Sequence, residues 1–194
     1  MLKTVIFVVF VLIIALVGGA GSAWLALEST RSIGSVEIGP WVTFPNQGTR
    51  KADPYSRARS RRLGQLSLGQ AEGVVLVAAA DSDGRPLLRQ CTYRIQGELP
   101  PTRFFTLHAV DDNRTILSAP ARFLSALHSQ DLLWRDGQTL GMIVSPHPQP
   151  DNWMAIAGTG SMQLVLTLVD TPISTGARVG ETSLPVISRV GCDA

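Results

Sequence analysis

No charged residue occurs between Lys3 and Glu28, and the run from Val5 to Val17 is almost purely Val, Ile, Leu and Phe. This stretch restricts the chain more than any other feature, because 24 uncharged residues (Thr4 to Leu27) are rarely the start of a soluble fold. A helix rises about 1.5 Å per residue and a bilayer core is about 30 Å thick, so about 20 apolar residues cross it. Thr4–Leu27 is long enough to cross with some tilt, and Trp24 stands where an interfacial aromatic belongs. A cleaved signal peptide remains an alternative. The densest apolar part is only about 13 residues, and Gly21-Ser22-Ala23 makes an acceptable cleavage site. No Cys follows the run, which excludes a lipoprotein anchor. Lys3 and the α-amino group face Arg31 alone across the segment, so the positive-inside rule puts the N-terminus in the cytoplasm. The expected location is the bacterial inner membrane, single-pass, with the bulk of the chain in the periplasm.

Charged residues are only 16% of the 194-residue chain, but most of the deficit is local. Beyond residue 27 there remain 16 basic and 15 acidic side chains, a globular composition with length for one core. The expected organisation is an N-terminal membrane anchor or signal segment at 1–27, a tether at 28–35 and a β domain at 36–194. Disorder, several membrane spans, a coiled coil and a two-domain enzyme of usual size are excluded. The net charge of +2 leaves no nucleic-acid footprint.

Period-two alternation dominates the later part. Strands are expected at Trp41–Phe44, Gly73–Ala80, Leu87–Ile95, Phe104–Val110, Asp131–Trp134, Leu140–Val144, Ser161–Val169 and Leu184–Arg189. Cys91, Tyr93 and Ile95 share one face, as do Met162, Leu164, Leu166 and Leu168. Asp83-Gly84 and Asp136-Gly137 are hairpin signals. One helix is well marked, with Asp53 as N-cap, Pro54 at its first position and Gly64 past its end. A second, shorter helix is read at Ala121–His128. Short strands separated by Gly and Pro turns give a mainly β chain, an antiparallel β-sandwich or barrel.

The marked helix carries unusual charge. Arg50–Arg62 holds six cations and one acid, whereas the rest of the chain beyond residue 27 sums to a negative charge. Arg57 and Arg61 are four apart on one helix face, suited to gripping a carboxylate or phosphate, and Tyr55 lies near that edge. Such a site predicts a partly buried Arg57 beside Tyr55; a solvated helix face is the plain alternative. Trp41, Trp134 and Trp153 form either a sugar-stacking platform or core. His108, His128 and His147 lack metal-ligand spacing, and Gly158-Thr159-Gly160-Ser161 is not a nucleophile elbow. No metal or cofactor is expected. Cys91 and Cys192, an even pair in an exported chain, are read as a disulfide, against two free thiols with Cys91 buried.

An ordered set of segments resembles a known family. It runs Asp53-Pro54-Tyr55 with Arg57-Ala58, Leu68-Gly69, Glu72-Gly73, Asp83-Gly84, the strand ending at Tyr93, and Arg103-Phe104-Phe105-Thr106-Leu107. Asp136-Gly137, Asn152-Trp153 and Leu184-Pro185 complete it. The chain is similar, over roughly residues 36–190, to the bacterial family called domain of unknown function 1214. The resemblance implies a β-sandwich of jelly-roll type preceded here by a transmembrane helix, and no agreed activity. It favours Tyr55 and Arg57 as a retained pair, and it implies a separately encoded partner domain. The expected function is a membrane-tethered binding or cell-envelope accessory module. Its ligand-binding candidates are Tyr55, Arg57, Arg61 and Trp153, its ligand anionic, its bilayer contact residues 4–27. The alternative is an enzyme or enzyme subunit acting on an anionic small molecule or saccharide.

Overall fold

The computed structural model describes residues 2–28, 34–64, 68–69, 71–119, 123–134, 140–172 and 182–193. Helix α1 (Leu2–Glu28) contains the apolar run, and none of its span Leu2–Leu25 is buried inside the protein. By length and composition it is able to cross a membrane, a property that a signal sequence shares. Helix α2 (Pro54–Leu63) has the expected caps. The Asp53 carboxylate accepts from the Ser56 N–H at 3.0 Å, and Gly64 takes the left-handed conformation at φ 60°.

Among the described residues ten strands make two sheets. One has six strands in the order β1 (Val36–Ile38), β2 (Trp41–Thr43), β3 (Gly73–Ala78), β9 (Gln163–Val169), β5 (Phe104–Val110) and β6 (Ala126–His128). The other has four in the order β10 (Val186–Cys192), β4 (Cys91–Gly97), β7 (Leu140–Ser145) and β8 (Trp153–Ala155). Their inner faces share one apolar core. Cys91, Tyr93 and Ile95 point into it from one sheet, and Leu76, Leu107, Leu164, Leu166 and Leu168 from the other. Burial of alternate residues holds each strand in register, because a one-residue slip would turn every one of these side chains to solvent. Two large core side chains have their polar atoms paired: Trp41 Nε1 donates to Pro185 O at 2.8 Å, and Tyr93 Oη accepts from Leu88 N at 2.8 Å.

Several expectations need correction. The segment read as a helix at Ala121–His128 supplies β6 over Ala126–His128, which pairs with Thr106–His108 of β5. A helix that short nucleates poorly, and the open edge of β5 offers main-chain partners. Asp131–Trp134 is not a strand. Asn152 takes both main-chain groups of Leu133, accepting from its N–H at 2.7 Å and donating to its C=O at 2.9 Å. The hairpin signal Asp136-Gly137 lies outside the described residues. The pairing is not antiparallel throughout, since β8 runs parallel to β7 with Ile143 opposite Trp153. Three prolines at 146, 148 and 150 lack N–H donors and disfavour a tight hairpin there.

The two cysteines are bonded. Cys192 and Cys91 are cross-strand partners of β10 and β4, with Cα atoms 3.9 Å apart. Nearby, the buried Asp81 closes the turn after β3. Its Oδ1 accepts from the N–H groups of Asp83 and Arg85, and its Oδ2 from Arg85 Nε at 2.9 Å. Arg189 of β10 brings its Nε to 3.5 Å from the same oxygen and lays its guanidinium 5.5 Å from the Tyr93 ring centroid.

Candidate functional site

The concave surface beside the arginine helix is built from two local pieces. The turn-rich segment after β2 folds through Gln47 N to Phe44 O and Thr49 N to Asn46 O hydrogen bonds. It is tied to α2 by Gln47 Nε2 donating to Ser60 Oγ at 2.8 Å. Between segment and helix lies a groove of about 430 Å³. Thr49, Arg50 and Ala52 wall one side. Ser56, Arg57, Ser60 and Arg61 wall the other, two i, i+4 pairs that helical periodicity sets side by side. Among the described residues the groove's lining therefore carries three guanidinium groups and no carboxylate.

Arg57 is fastened to the main chain on the other side of the groove. Its Nη2 donates to the main-chain carbonyl of Arg50 at 2.6 Å, and a carbonyl partner carries no net charge to offset the guanidinium. The hydroxyls in the wall are committed elsewhere: Thr49 Oγ1 donates to Asn46 O, Ser56 Oγ to Asp53 Oδ2 and Ser60 Oγ to Ser56 O. Since a hydroxyl has one proton to donate, the side-chain donors left for a ligand in the described lining are the N–H groups of the arginines. Asp53, next to the groove in sequence, is occupied as the helix cap. Burial works to raise its carboxyl, but bonds from Ser56 Oγ and the N–H groups of Ser56 and Tyr55 outweigh it and hold the pKa below its ordinary value.

The candidate residues do not all meet. Arg57 and Arg61 line the groove together. Arg57 is exposed rather than partly buried, and Tyr55 is outside the lining, because two residues' separation turns it about 200° around the helix. Trp153 belongs to β8 in the four-stranded sheet, where its Nε1 donates to Ser145 O at 3.1 Å and its ring meets Phe123 at 5.0 Å. The tryptophans make no platform: Trp41 is in the core, and Trp134 packs edge-on against Phe105. Sequence reasoning did not single out Arg50, Ser56 or Ser60. The serines could have been found, since they repeat at four residues beside the arginine pair.

Among the described helices and strands, α2 makes its substantial contact with α1. Arg62 places its guanidinium 4.2 Å from the centroid of the Trp24 ring, a cation–π contact joining the two helices.

Elsewhere, Ser145, His147 and Asp193 gather without forming a catalytic triad. The imidazole Nε2 of His147 meets Asp193 at 2.7 Å, but the buried Ser145 hydroxyl bonds Thr92 Oγ1 and the main-chain N–H of His147. Nucleophile and base are thus not in contact. Among the described residues no group of three or more His, Cys, Asp or Glu is arranged to hold a metal ion.

A family described as protein of unknown function (DUF1214) matches residues 72–173, just over half of the chain. The chain belongs to that family. The DUF1214 match covers β3 to β9, and α2 with its groove lies before it. Among solved structures the chain is similar to the VPA0106 protein from Vibrio parahaemolyticus. The identity is 17% and the TM-score 0.59, over 74% of this chain and 38% of that one. It also aligns with an uncharacterized protein from Burkholderia cenocepacia at 15% identity and a TM-score of 0.43, over 77% and 47% of the two chains. The chain thus spans less than half the length of each of these proteins. The Vibrio likeness shows a shared fold. No curated protein matches the chain.

Proposed function

We propose that this DUF1214 protein is a membrane-tethered, periplasm-facing β-sandwich of jelly-roll type that binds an anionic ligand in the arginine groove. One observation carries the reading: Arg50, Arg57 and Arg61 line one groove of about 430 Å³ with no carboxylate among its described lining residues. Guanidinium forks match carboxylate and phosphate oxygens in pairs, which supports an anion as the ligand. The apolar α1, with Lys3 at its start, supports a single-pass inner-membrane anchor. A separately encoded partner domain belongs to the same reading, supported by a Vibrio chain more than twice as long as the part aligned here.

An enzyme would need titratable groups converging on the groove. Its lining holds hydroxyls and guanidinium groups, which bind and orient an anion but do not exchange protons near neutral pH. Binding is therefore the better supported function.

The test is calorimetric titration of the detergent-solubilised full chain with inorganic phosphate, citrate and glycerol phosphate. Saturable binding that Arg57→Ala abolishes and Arg94→Ala leaves intact supports the reading. Equal small losses in both variants that vanish with added salt would reduce the groove to a diffuse basic patch.

A further inference from the structure

We infer that the groove's ligand is the phosphate of an acidic phospholipid in the leaflet from which α1 emerges, so that α2 works as an interfacial helix. This rests on the reading of the groove as an anion site. The placement comes from α1. Its span Leu2–Leu25 has a mean hydropathy of 2.7 and is wholly uncovered by the rest of the protein. A bilayer is the environment that satisfies about 36 Å of apolar helix surface. Trp24 then lies at headgroup depth at the end of the span.

Arg62 sits on Trp24 at 4.2 Å, which brings the C-terminal end of α2 to that same depth. Arg61 is the adjacent residue, about 1.5 Å along the axis, and Arg57 is about one further turn away. The groove is therefore held within a headgroup layer's thickness of the bilayer core. A ligand there is offered by the membrane itself at high local concentration, whereas a soluble anion has to compete with it. Because the wall hydroxyls have their protons committed, recognition rests on the guanidinium forks, which pair with phosphate oxygens by charge and shape. The expected selectivity is for net anionic over zwitterionic phospholipid, with little choice among anionic headgroups. Each arginine near a membrane surface contributes about fivefold in affinity.

The experiment uses the full chain released from nanodiscs of mixed phosphatidylglycerol and phosphatidylcholine into native mass spectrometry. Parallel arms titrate inorganic phosphate and glycerol phosphate. Expected is one retained phosphatidylglycerol, preferred at least tenfold over phosphatidylcholine. It should be lost in the Arg57→Ala/Arg61→Ala variant, partly kept in Arg57→Lys/Arg61→Lys and unaffected by Arg94→Ala. Circular dichroism and an intact disulfide check that each variant is folded. If phosphate or glycerol phosphate binds as tightly as the lipid, the groove remains an anion site and the lipid assignment is overturned. If the double alanine variant retains phosphatidylglycerol like the parent, the lipid sits elsewhere and the assignment fails as well. If neither lipid nor soluble phosphate binds, both readings fall together.

Discussion

Cys91 and Cys192 face each other directly across β4 and β10, bonded, at a sequence separation of 101 residues. The first cysteine begins a strand in the centre of the four-stranded sheet, while the second ends its edge strand. The bond thus ties the last strand to the core near its exposed end, after the register shift between Arg189 and Gly191. In the chain-entropy account a closed loop of that size is worth about 4 to 5 kcal/mol, acting through the unfolded chain. The Cys91→Ala/Cys192→Ala variant should lose about 4 kcal/mol in denaturant unfolding. Alkylation under denaturing, non-reducing conditions should label no thiol, and two labelled thiols would refute the pairing.

Asp81 should be the most sensitive polar residue outside the groove. Its side chain is fully buried, accepts two main-chain bonds and faces two arginines. Asp81→Ala strands those donors and should cost about 3 kcal/mol. Arg85→Ala should cost under about 1 kcal/mol, because that side chain is 49% exposed and screened. Comparable losses from the two substitutions, measured by urea denaturation, would contradict this asymmetry.

His108 is expected to shape the acid side of the stability profile. It stands on the outer face of the six-stranded sheet, opposite Val165 of β9 and Ala126 of β6, and burial pushes its pKa below the ordinary 6.5. The unfolded chain then takes up a proton at a pH where the folded chain resists it. Stability is full above about pH 6.5 and declines as the pH falls toward the lowered folded value. His108→Leu should flatten that part of the curve. An unchanged slope below pH 6.5 would assign the decline to other groups.

The Asp53 cap controls the groove wall. Its folded pKa is depressed, so its contribution is complete above the ordinary carboxylate range and disappears as the pH falls through the folded value. Asp53→Ala should cost about 1 kcal/mol. Hydrogen exchange should show the loss confined to α2, with β3 and β9 unaffected.

Helix α1 should remain attached. Intact mass of the membrane-extracted protein should include residues 2–28, and carbonate washing should leave it in the pellet. A mature chain beginning near Trp24 that washes free would make the segment a signal peptide. A C-terminal alkaline phosphatase fusion should be active in a bacterial host, since α1 would export the domain behind it.

Much of the local structure was legible in the sequence. The ends of α2 were readable at Asp53, Pro54 and Gly64 because a helix cap is completed by hydrogen bonds within four residues. The inward faces of β4 and β9 were readable because a strand's side chains alternate whatever lies beside it. The uncharged run of α1 announced a helix by its length alone. The tertiary structure decided which strands are neighbours: β6 adding to the edge of β5, β8 running parallel to β7, and Cys192 meeting Cys91. It also decided that Arg50 closes a groove on Arg57 and that Arg62 meets Trp24. Alternation and capping are properties of contiguous residues and leave a mark in the order of the chain. Which edge a short strand joins, and which helix an arginine stacks on, depends on how all the apolar faces are buried at once.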